Sequence, residues 1–508
     1  MLTFCYSGAI EGIDGALIEI EIDTQNGIPM FNIVGLPDAS VKESKDRIIP
    51  AIKNSNFCYK SKKITINLAP ADIKKEGTLF DLPIAVGILA TMEYIENLDV
   101  LKDYLIFGEL SLSGEIRHIR GALSLAILAK EKGFKGIILP QSNFSEVSII
   151  DGIKIIPVKN LLETIDFLNN KIAIKSYHND NLKNNFLNYY TEFDMKDIKG
   201  QALARRALEI AASGNHNILM VGPPGSGKTM LAKRISTILP EMTIEEAIET
   251  TKIHSVSGIL PNGTQIVRTR PFRSPHHTIS DVALIGGSSI PKPGEVSKAH
   301  NGVLFLDELP EFNRNVLEVL RQPLEERKVT ISRANRSIDF PARVMLVAAM
   351  NPCPCGYYGT NVKECHCTSI QISRYTNKIS GPLLDRIDLH IDVPLIKYDE
   401  LSEKKEPESS EIIRKRVKMA RELQRERYKK VKTNSDMNNS DIKKYCELDE
   451  NGSKILKFAV EKYKLSARSY ARILKVSRTI ADMEGEENIK DYHIKEAVQY
   501  RFFDHFGN

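Results

Sequence analysis

The feature that most constrains this chain is an eight-residue motif near its middle. Residues 222–229 read Gly-Pro-Pro-Gly-Ser-Gly-Lys-Thr and fit the pattern G-x-x-x-x-G-K-[ST] completely. The motif follows an apolar run, Ile218–Val221, and precedes a helical run, Met230–Leu239, which is the context that a phosphate-binding loop requires. The sequence therefore predicts a parallel α/β unit that binds a nucleoside triphosphate.

Each residue type in this motif has a physical role at a phosphate. Glycines let backbone N–H groups turn inward around phosphate oxygens, which also meet the positive end of the following helix. Lys228 is predicted to reach the β- and γ-phosphates, and Thr229 to hold Mg²⁺ through its hydroxyl. ATP and Mg²⁺ are therefore the predicted cofactors. The predicted nucleotide-binding residues are Gly222, Pro223, Pro224, Gly225, Ser226, Gly227, Lys228, Thr229 and Met230.

A second apolar strand supplies acidic partners for this loop. Val303–Leu306 runs directly into Asp307 and Glu308, and α/β sheets bind their ligands where strands end. Asp307 is predicted to bind Mg²⁺, and Glu308 to orient and activate the attacking water as a general base. Many buried strands end in acids, but the combination with a phosphate loop indicates a nucleotide hydrolase.

Two further segments resemble parts of the AAA+ family of ATPases. Val347–Asn351 is an apolar strand that ends in a polar residue and resembles sensor 1, which implies that Asn351 positions the water near the γ-phosphate. Without the other motifs, Asn351 would be read as a turn residue. Asp197–Gln201 resembles the segment that flanks the adenine, and Gly200 is its predicted nucleotide contact.

Two arginines complete the AAA+ resemblance. The segment 381–386, Gly-Pro-Leu-Leu-Asp-Arg, resembles an arginine-finger segment, which implies that Arg386 reaches a neighbouring subunit's site and stabilises transition-state charge. The alternative is a local salt bridge to Asp385 or Asp388. Arg468 opens a helix and resembles sensor 2, with a plain surface arginine as the alternative.

Over nearly its whole length, the chain resembles the ComM/YifB family of magnesium-chelatase-like AAA+ proteins. That family implies a homohexameric ring with a helical lid, and ATP-driven branch migration of DNA during natural transformation, a helicase-type activity. Single-stranded or branched DNA would then occupy the ring pore. The segments that carry the resemblance, besides the phosphate loop, are 270–277 (RPFRSPHH), 293–296 (PGEV), 351–356 (NPCPCG) and 380–386 (SGPLLDR).

Basic residues in two segments fit such a pore. The residues 251–300 resemble the insert that projects into the ring, and 329–340 reads as a hairpin with Arg333 and Arg336 near its turn. Six copies of both would form a basic channel that tracks phosphates; intersubunit salt bridges are the alternative. The basic residues of the first segment that we single out are Arg268, Arg270, Arg273, His276 and His277.

The N-terminal residues resemble the Lon-protease-like fold, which is of the ribosomal S5 type. Lon proteases use a Ser–Lys dyad, but the positions that match it hold Leu79 and Leu125. We therefore expect no peptidase activity from this part of the chain, and a role in packing or DNA binding.

Four of the seven cysteines are clustered as CxC-x9-CxC. Four thiolates suit tetrahedral Zn²⁺, although the spacing differs from the commoner CxxC knuckles, and His366 is a candidate to replace one thiolate. A structural zinc site is favoured over an iron–sulfur cluster or free thiols. The predicted ligands are Cys353, Cys355, Cys365 and Cys367.

These features predict a multidomain α/β protein. Residues 1–168 form the Lon-like domain, 169–190 a linker, 191–394 the AAA+ core with its parallel sheet and the insertion 353–367, and 395–508 a helical lid that carries sensor 2. No membrane-length apolar run or secretory leader is apparent, which predicts a cytoplasmic protein without a membrane partner. The net charge of +5 permits a nucleic-acid partner without requiring one.

Three functions compete at this point. A DNA motor is favoured, because the candidate pore loops are rich in Arg and His. A chaperone-type remodelling ATPase would use aromatic pore residues instead. A magnesium-chelatase subunit is disfavoured, because its partner subunits are not fused to this chain and ATPases of that pathway typically lack the N-terminal unit.

Overall fold

The computed structural model describes residues 1–174, 193–261, 263–287, 291–333, 336–360, 363–396, 400 and 407–501. Residues 175–190 of the predicted linker lie outside this range. The strands are β1 Leu2–Glu11, β2 Asp14–Gln25, β3 Met30–Val34, β4 Lys63–Ala69, β5 Tyr104–Ile106, β6 Glu109–Leu110, β7 Ile116–Arg117, β8 Gly136–Pro140, β9 Lys154–Val158, β10 Ile218–Val221, β11 Phe272–Arg273, β12 Gly286–Gly287, β13 Lys292–Pro293, β14 Val303–Leu306, β15 Lys328–Arg333, β16 Arg336–Pro341, β17 Met345–Met350 and β18 Leu389–Asp392.

The helices are interspersed among the strands up to β18 and then follow one another. They are α1 Ala39–Lys42, α2 Ser44–Asn54, α3 Asp81–Thr91, α4 Ala122–Glu131, α5 Phe144–Val147, α6 Leu161–Leu168, α7 Ala202–Gly214, α8 Lys228–Ile238, α9 Ile244–Ser257, α10 Asp281–Ile285, α11 Glu295–Lys298, α12 Arg314–Glu318, α13 Arg321–Glu326, α14 Ser369–Thr376, α15 Gly381–Leu384, α16 Ser410–Tyr428, α17 Asn439–Tyr445, α18 Glu450–Tyr463, α19 Ala467–Met483 and α20 Asp491–Gln499. In the described ranges, every helix falls short of the length or the hydropathy that a bilayer crossing requires.

Contacts divide the chain into two compact units. The first comprises Met1–Asn188 and Ile244–Arg268, and the second comprises Tyr189–Thr243 and Thr269–Asn508. Helix α9, which follows the phosphate-loop helix α8 in the sequence, therefore belongs to the first unit. The boundaries of the predicted domains stay predictions. The sequence did not predict that Ile244–Arg268 belongs to the first unit.

The first unit is built on a seven-stranded mixed sheet of order β3-β4-β2-β1-β5-β8-β9. Side chains alternate along β2: Ile18, Ile20 and Ile22 are fully buried, and the intervening acids are partly exposed. The helix α3, buried at every position, packs on β1 and β2. Leu79 and Leu125, the residues that the resemblance to Lon proteases singled out, both lie in this core.

Helix α9 is attached to the first unit by polar contacts as well as by packing against α4. The Ser255 hydroxyl donates to the Glu146 carboxylate and accepts the backbone N–H of Gly121 at 2.8 Å. Lys252 forms an ion pair with Asp14. Because Ser255 and Glu146 are both buried, these bonds replace water that the groups lose on folding.

The second unit is built on a five-stranded sheet of order β11-β14-β17-β10-β18, in which every neighbouring pair is parallel. Strands β10, β14 and β17 are buried throughout, as expected for a parallel sheet covered on both faces. The predicted bounds of β10 and β14 are confirmed. Helices α16 and α19 pack on α7, and the core that includes the sheet extends to Tyr500.

Candidate nucleotide site

The phosphate loop connects the end of β10 to the start of α8. Gly225 and Gly227 have φ angles of 79° and 88°, a region that glycine adopts without the steric cost of a Cβ. Gly222 is required for a different reason, because a Cβ there would lie 2.2 Å from the carbonyl oxygen of Val393. The glycines of the motif thus reflect two requirements: a left-handed backbone at Gly225 and Gly227, and the close approach of the Val393 backbone to Gly222.

Lys228 lies at the start of α8, with only 8% of its surface exposed. Its Nζ donates to the carbonyl oxygens of Gly222 at 2.7 Å and Pro223 at 2.9 Å. Its Nζ also lies 3.3 Å from Asn351 Oδ1, so the sensor-like residue and the loop lysine are brought together. Burial lowers the pKa of Lys228, and the carboxylates of Asp307 and Glu308 oppose that shift.

Thr229 and Asp307 meet at the same edge of the sheet. The Thr229 hydroxyl donates to Asp307 Oδ2 at 2.6 Å, although 78 residues separate them along the chain. A hydroxyl and a carboxylate in contact at the end of a phosphate loop form a ligand set suited to Mg²⁺. This donor set fits the metal that the sequence predicts.

Glu308 adopts a left-handed backbone conformation, with φ of 51°. Its side chain is 59% exposed, and Oε2 lies 3.6 Å from Nδ1 of His277. His277 in turn stacks on His276, with ring centroids 4.1 Å apart. The sequence predicts only a place in a basic channel for His277, since its spacing from Glu308 gives no sign of this contact.

Two other basic residues of that segment have partners within the chain. The Arg270 guanidinium donates to the carbonyl oxygens of Pro240 and Asn301, each at 2.7 Å. Arg273 lies 2.6 Å from a carboxylate oxygen of Glu295. These contacts indicate that Arg270 and Arg273 fix the local fold, which corrects the sequence-based prediction that both belong to a phosphate-tracking channel.

Asp197, in the predicted adenine-flanking segment, pairs with Arg234 of α8 at 2.9 Å. Gly200 has φ of 61°, and a Cβ there would lie 2.6 Å from a carboxylate oxygen of Glu400. The segment is therefore tied to the helix that begins in the phosphate loop.

Arg386 lies elsewhere, just before β18. Its side chain is buried, donates to the carbonyl oxygen of Pro382 at 2.6 Å and pairs with Glu325 Oε1 at 2.6 Å. Asp388, one of the alternative partners, forms an ion pair with Arg472. The sequence pattern could not indicate Glu325, which lies on a separate helix.

Arg468 lies near this same end of the sheet. It is exposed on α19 and lines a cavity of about 580 Å³ with Glu325 and Asn217. Asn217 directly precedes β10, and the phosphate loop directly follows β10 at the other end of the strand. The two arginines and the phosphate loop of one chain therefore lie at opposite ends of the parallel sheet.

The four clustered cysteines come together in space. Their sulfur atoms all lie within 4.8 Å of one another, with 3.3 Å from Cys353 to Cys355 and 3.7 Å from Cys353 to Cys365. Sulfurs bound at 2.3 Å to a tetrahedral zinc ion would be about 3.8 Å apart. The donor set fits a metal ion.

A parallel sheet whose inner strand leads into a phosphate loop, with lysine, threonine and aspartate in contact, defines the class of P-loop nucleotide-binding proteins. Comparison with known families is more specific. Residues 194–401 match the family of the magnesium chelatase subunit ChlI, residues 20–143 match a second ChlI region, and residues 407–501 match its C-terminal region.

The full-length relatives identify the family. The chain is 46% identical to the competence protein ComM of Haemophilus influenzae, over 98% of this chain and 97% of ComM. It is 43% identical to the uncharacterized protein YifB of Escherichia coli, over 99% and 97% of the two chains. The magnesium-chelatase 38 kDa subunit of Rhodobacter capsulatus is 25% identical over 32% of this chain and half of its own length. The chain belongs to the ComM/YifB family of magnesium-chelatase-like AAA+ ATPases.

Proposed function

We propose that this chain hydrolyses ATP as one subunit of a homohexameric ring that moves DNA. Lys228 binds the β- and γ-phosphates, and Thr229 and Asp307 hold Mg²⁺. Glu308 activates water, and Asn351 positions it. The observation that carries the proposal is the contact group that joins Lys228 to Asn351 and Thr229 to Asp307.

The ring is part of the proposed mechanism, because one chain does not assemble a complete site. Arg386 lies at the amino end of the sheet and the phosphate loop at its carboxyl end. We infer that Arg386 exchanges Glu325 for the γ-phosphate of a neighbouring subunit when the ring forms, and that Arg468 acts from the same end. Charge that develops on the transferred phosphoryl group is then stabilised from across the interface.

DNA is proposed as the substrate on two grounds. The first is the relationship to ComM, whose name indicates a role in competence. The second is the hairpin of β15 and β16, which pairs Arg333 with Arg336 at its end and would present basic residues from every subunit. The proposed activity is branch migration of DNA during natural transformation. A protein-remodelling ATPase is the second candidate.

The other regions of the chain have supporting roles in the proposed motor. Residues 1–168 act as a non-peptidase, S5-type domain, and the helices after 407 act as a lid. The cysteine cluster holds a structural Zn²⁺, which the distances between its sulfur atoms support. Elemental analysis of protein purified without chelators tests this, and protein free of bound zinc would rule it out.

The ATPase rate, measured with and without single-stranded, duplex and four-way-junction DNA, tests the proposed function. Stimulation by DNA that is lost at high salt is the expected result, with preference for the junction supporting branch migration. Protein that binds ATP and forms rings but gives the same rate with every DNA would contradict a DNA motor and favour protein remodelling.

A further inference from the structure

We propose that the four-cysteine metal site forms one wall of the nucleotide site, so that zinc bound there holds the phosphate loop in its binding conformation and its removal weakens nucleotide binding. The proposal rests on the proposed function for the phosphate loop itself. It adds a second metal requirement, distinct from Mg²⁺, that acts before any chemistry.

The direct evidence is a close approach between the two loops. Gly356 directly follows Cys355, and its φ is 86°. A Cβ on Gly356 would lie 2.5 Å from Cδ and 2.8 Å from Cγ of Pro224. Pro224 belongs to the phosphate loop, so the backbone of the cysteine loop packs directly on the segment that must wrap around phosphates.

The first limb of the cysteine loop is joined to the chemistry by the chain itself. Cys353 is fully buried and lies two residues after Asn351. Asn351 Oδ1 is 3.3 Å from Nζ of Lys228. A displacement of Cys353 would therefore move the residue that contacts the phosphate-binding lysine.

The second limb of the cysteine loop, which ends at Cys367, leads back towards Asn351. Cys367 is followed by Thr368, which caps α14 and forms a capping box with Gln371. Helix α14 carries the buried Tyr375; burial raises the pKa of its hydroxyl, and the nearby backbone of Asn351 opposes that rise. Both limbs thus converge beside the nucleotide site.

A metal ion would act by closing this loop. Cys353 and Cys365 lie 12 residues apart, and the segment between them has little regular structure among its described residues. The entropy of ordering such a loop opposes its packing on Pro224, and four metal–sulfur bonds would offset that cost because metal-binding energy contributes to local folding. The phosphate loop then keeps a fixed neighbour.

The test compares full-length variants in which ligand loss and loop contact are changed separately. Cys365→Ser combined with Cys367→Ser removes two ligands. Gly356→Ala leaves all four ligands and adds a Cβ against Pro224. Cys58→Ser is the matched control, because Cys58 is an exposed free cysteine remote in sequence from both loops. Zinc content is measured by elemental analysis, and affinity for a fluorescent ATP analogue by titration at constant Mg²⁺.

We expect about one zinc per chain in the unaltered protein and in Cys58→Ser. The double cysteine variant should lose the zinc and bind the analogue at least about fivefold more weakly. Gly356→Ala should keep the zinc and also bind the analogue more weakly. Thermal unfolding curves identify a variant that has lost its fold, and Gly356→Ala keeps the proposal testable in that case.

Unchanged affinity after loss of the zinc would overturn the proposal, as would unaltered protein that carries no zinc or carries iron instead. Unchanged affinity in Gly356→Ala would remove the proposed contact. Lys228→Ala is measured in parallel as the variant that should not bind the analogue. If the unaltered protein also fails to bind it, the proposed ATPase function fails, independently of the zinc result.

Discussion

The two ends of the parallel sheet in the second unit are organised differently. At the carboxyl end, Lys228, Thr229 and Asp307 belong to a set of short contacts that already fits a nucleotide and Mg²⁺. At the amino end, Arg386 is paired with Glu325, and Arg468 faces a cavity. The carboxyl end is organised to bind a ligand within one chain, whereas at the amino end Arg386 already has a protein partner.

The difference follows from the sheet itself. All pairs are parallel, so residues that follow strands gather at one edge and residues that precede them gather at the other. Strand β10 has four residues and spans about 13 Å, too far for the Arg386 side chain to reach across to its own phosphate loop. This separation supports the proposed division, in which one subunit binds ATP and the next supplies the arginine.

The largest effect on nucleotide binding is expected at the carboxyl end. Lys228→Ala should weaken nucleotide binding by about 100-fold or more, because a buried ammonium that neutralises phosphate charge is lost. Titration of a fluorescent ATP analogue measures this. Binding within about twofold of the unaltered protein would remove Lys228 from the site and with it the contrast between the two ends.

Arg386→Ala should leave nucleotide binding nearly unchanged and lower the hydrolysis rate by about 10³-fold, the scale of an arginine finger. Mixing provides the sharper test. Rings assembled from Arg386→Ala and Lys228→Ala chains should regain part of the activity, because some interfaces then pair an intact phosphate loop with an intact arginine. Mixed rings as inactive as either variant alone would indicate that Arg386 acts within its own chain.

Glu308→Gln should lower the hydrolysis rate by about 10²-fold, since the amide cannot accept a proton from water, while ATP remains bound. Nucleotide extracted from the purified variant should be mainly ATP rather than ADP. Hydrolysis at the unaltered rate would assign the general base to another group at the carboxyl end.

The double variant Arg333→Ala with Arg336→Ala is expected to lose the stimulation of ATP hydrolysis by DNA. The ratio of ATPase rates with and without DNA should fall to about one, as two phosphate-neutralising charges per subunit are removed. Lys328→Ala, in the same hairpin but ion-paired with Asp339, is the matched control. A ratio preserved in the double variant would place DNA contacts elsewhere.

The smallest effect is expected for His277→Ala. Glu308 is then free to occupy other rotamers, and we expect an approximately threefold to tenfold lower hydrolysis rate with unchanged ATP affinity. His276→Ala, which changes the neighbouring ring, is the comparison. Equal effects of both variants would indicate that the stacked pair supports the local fold rather than the orientation of Glu308.

Local pattern was sufficient for much of the second unit. Strands β10 and β14 have the predicted bounds because short apolar runs ended by Gly or acids leave few alternatives. The contacts of Arg270 with Pro240 and Asn301 were not predicted, since a basic residue in a loop has the same appearance in sequence whether it binds phosphate or its own backbone.

By itself, the sequence determined the phosphate loop, the acids that meet it and the four cysteines, because each motif requires particular residues at fixed short spacings. Only the tertiary structure decided that Gly356 packs on Pro224, that Arg386 pairs with Glu325, and that α9 belongs to the first unit. Such partners lie far apart along the chain, and they meet because of how helices and loops pack around the sheets, which no local spacing encodes.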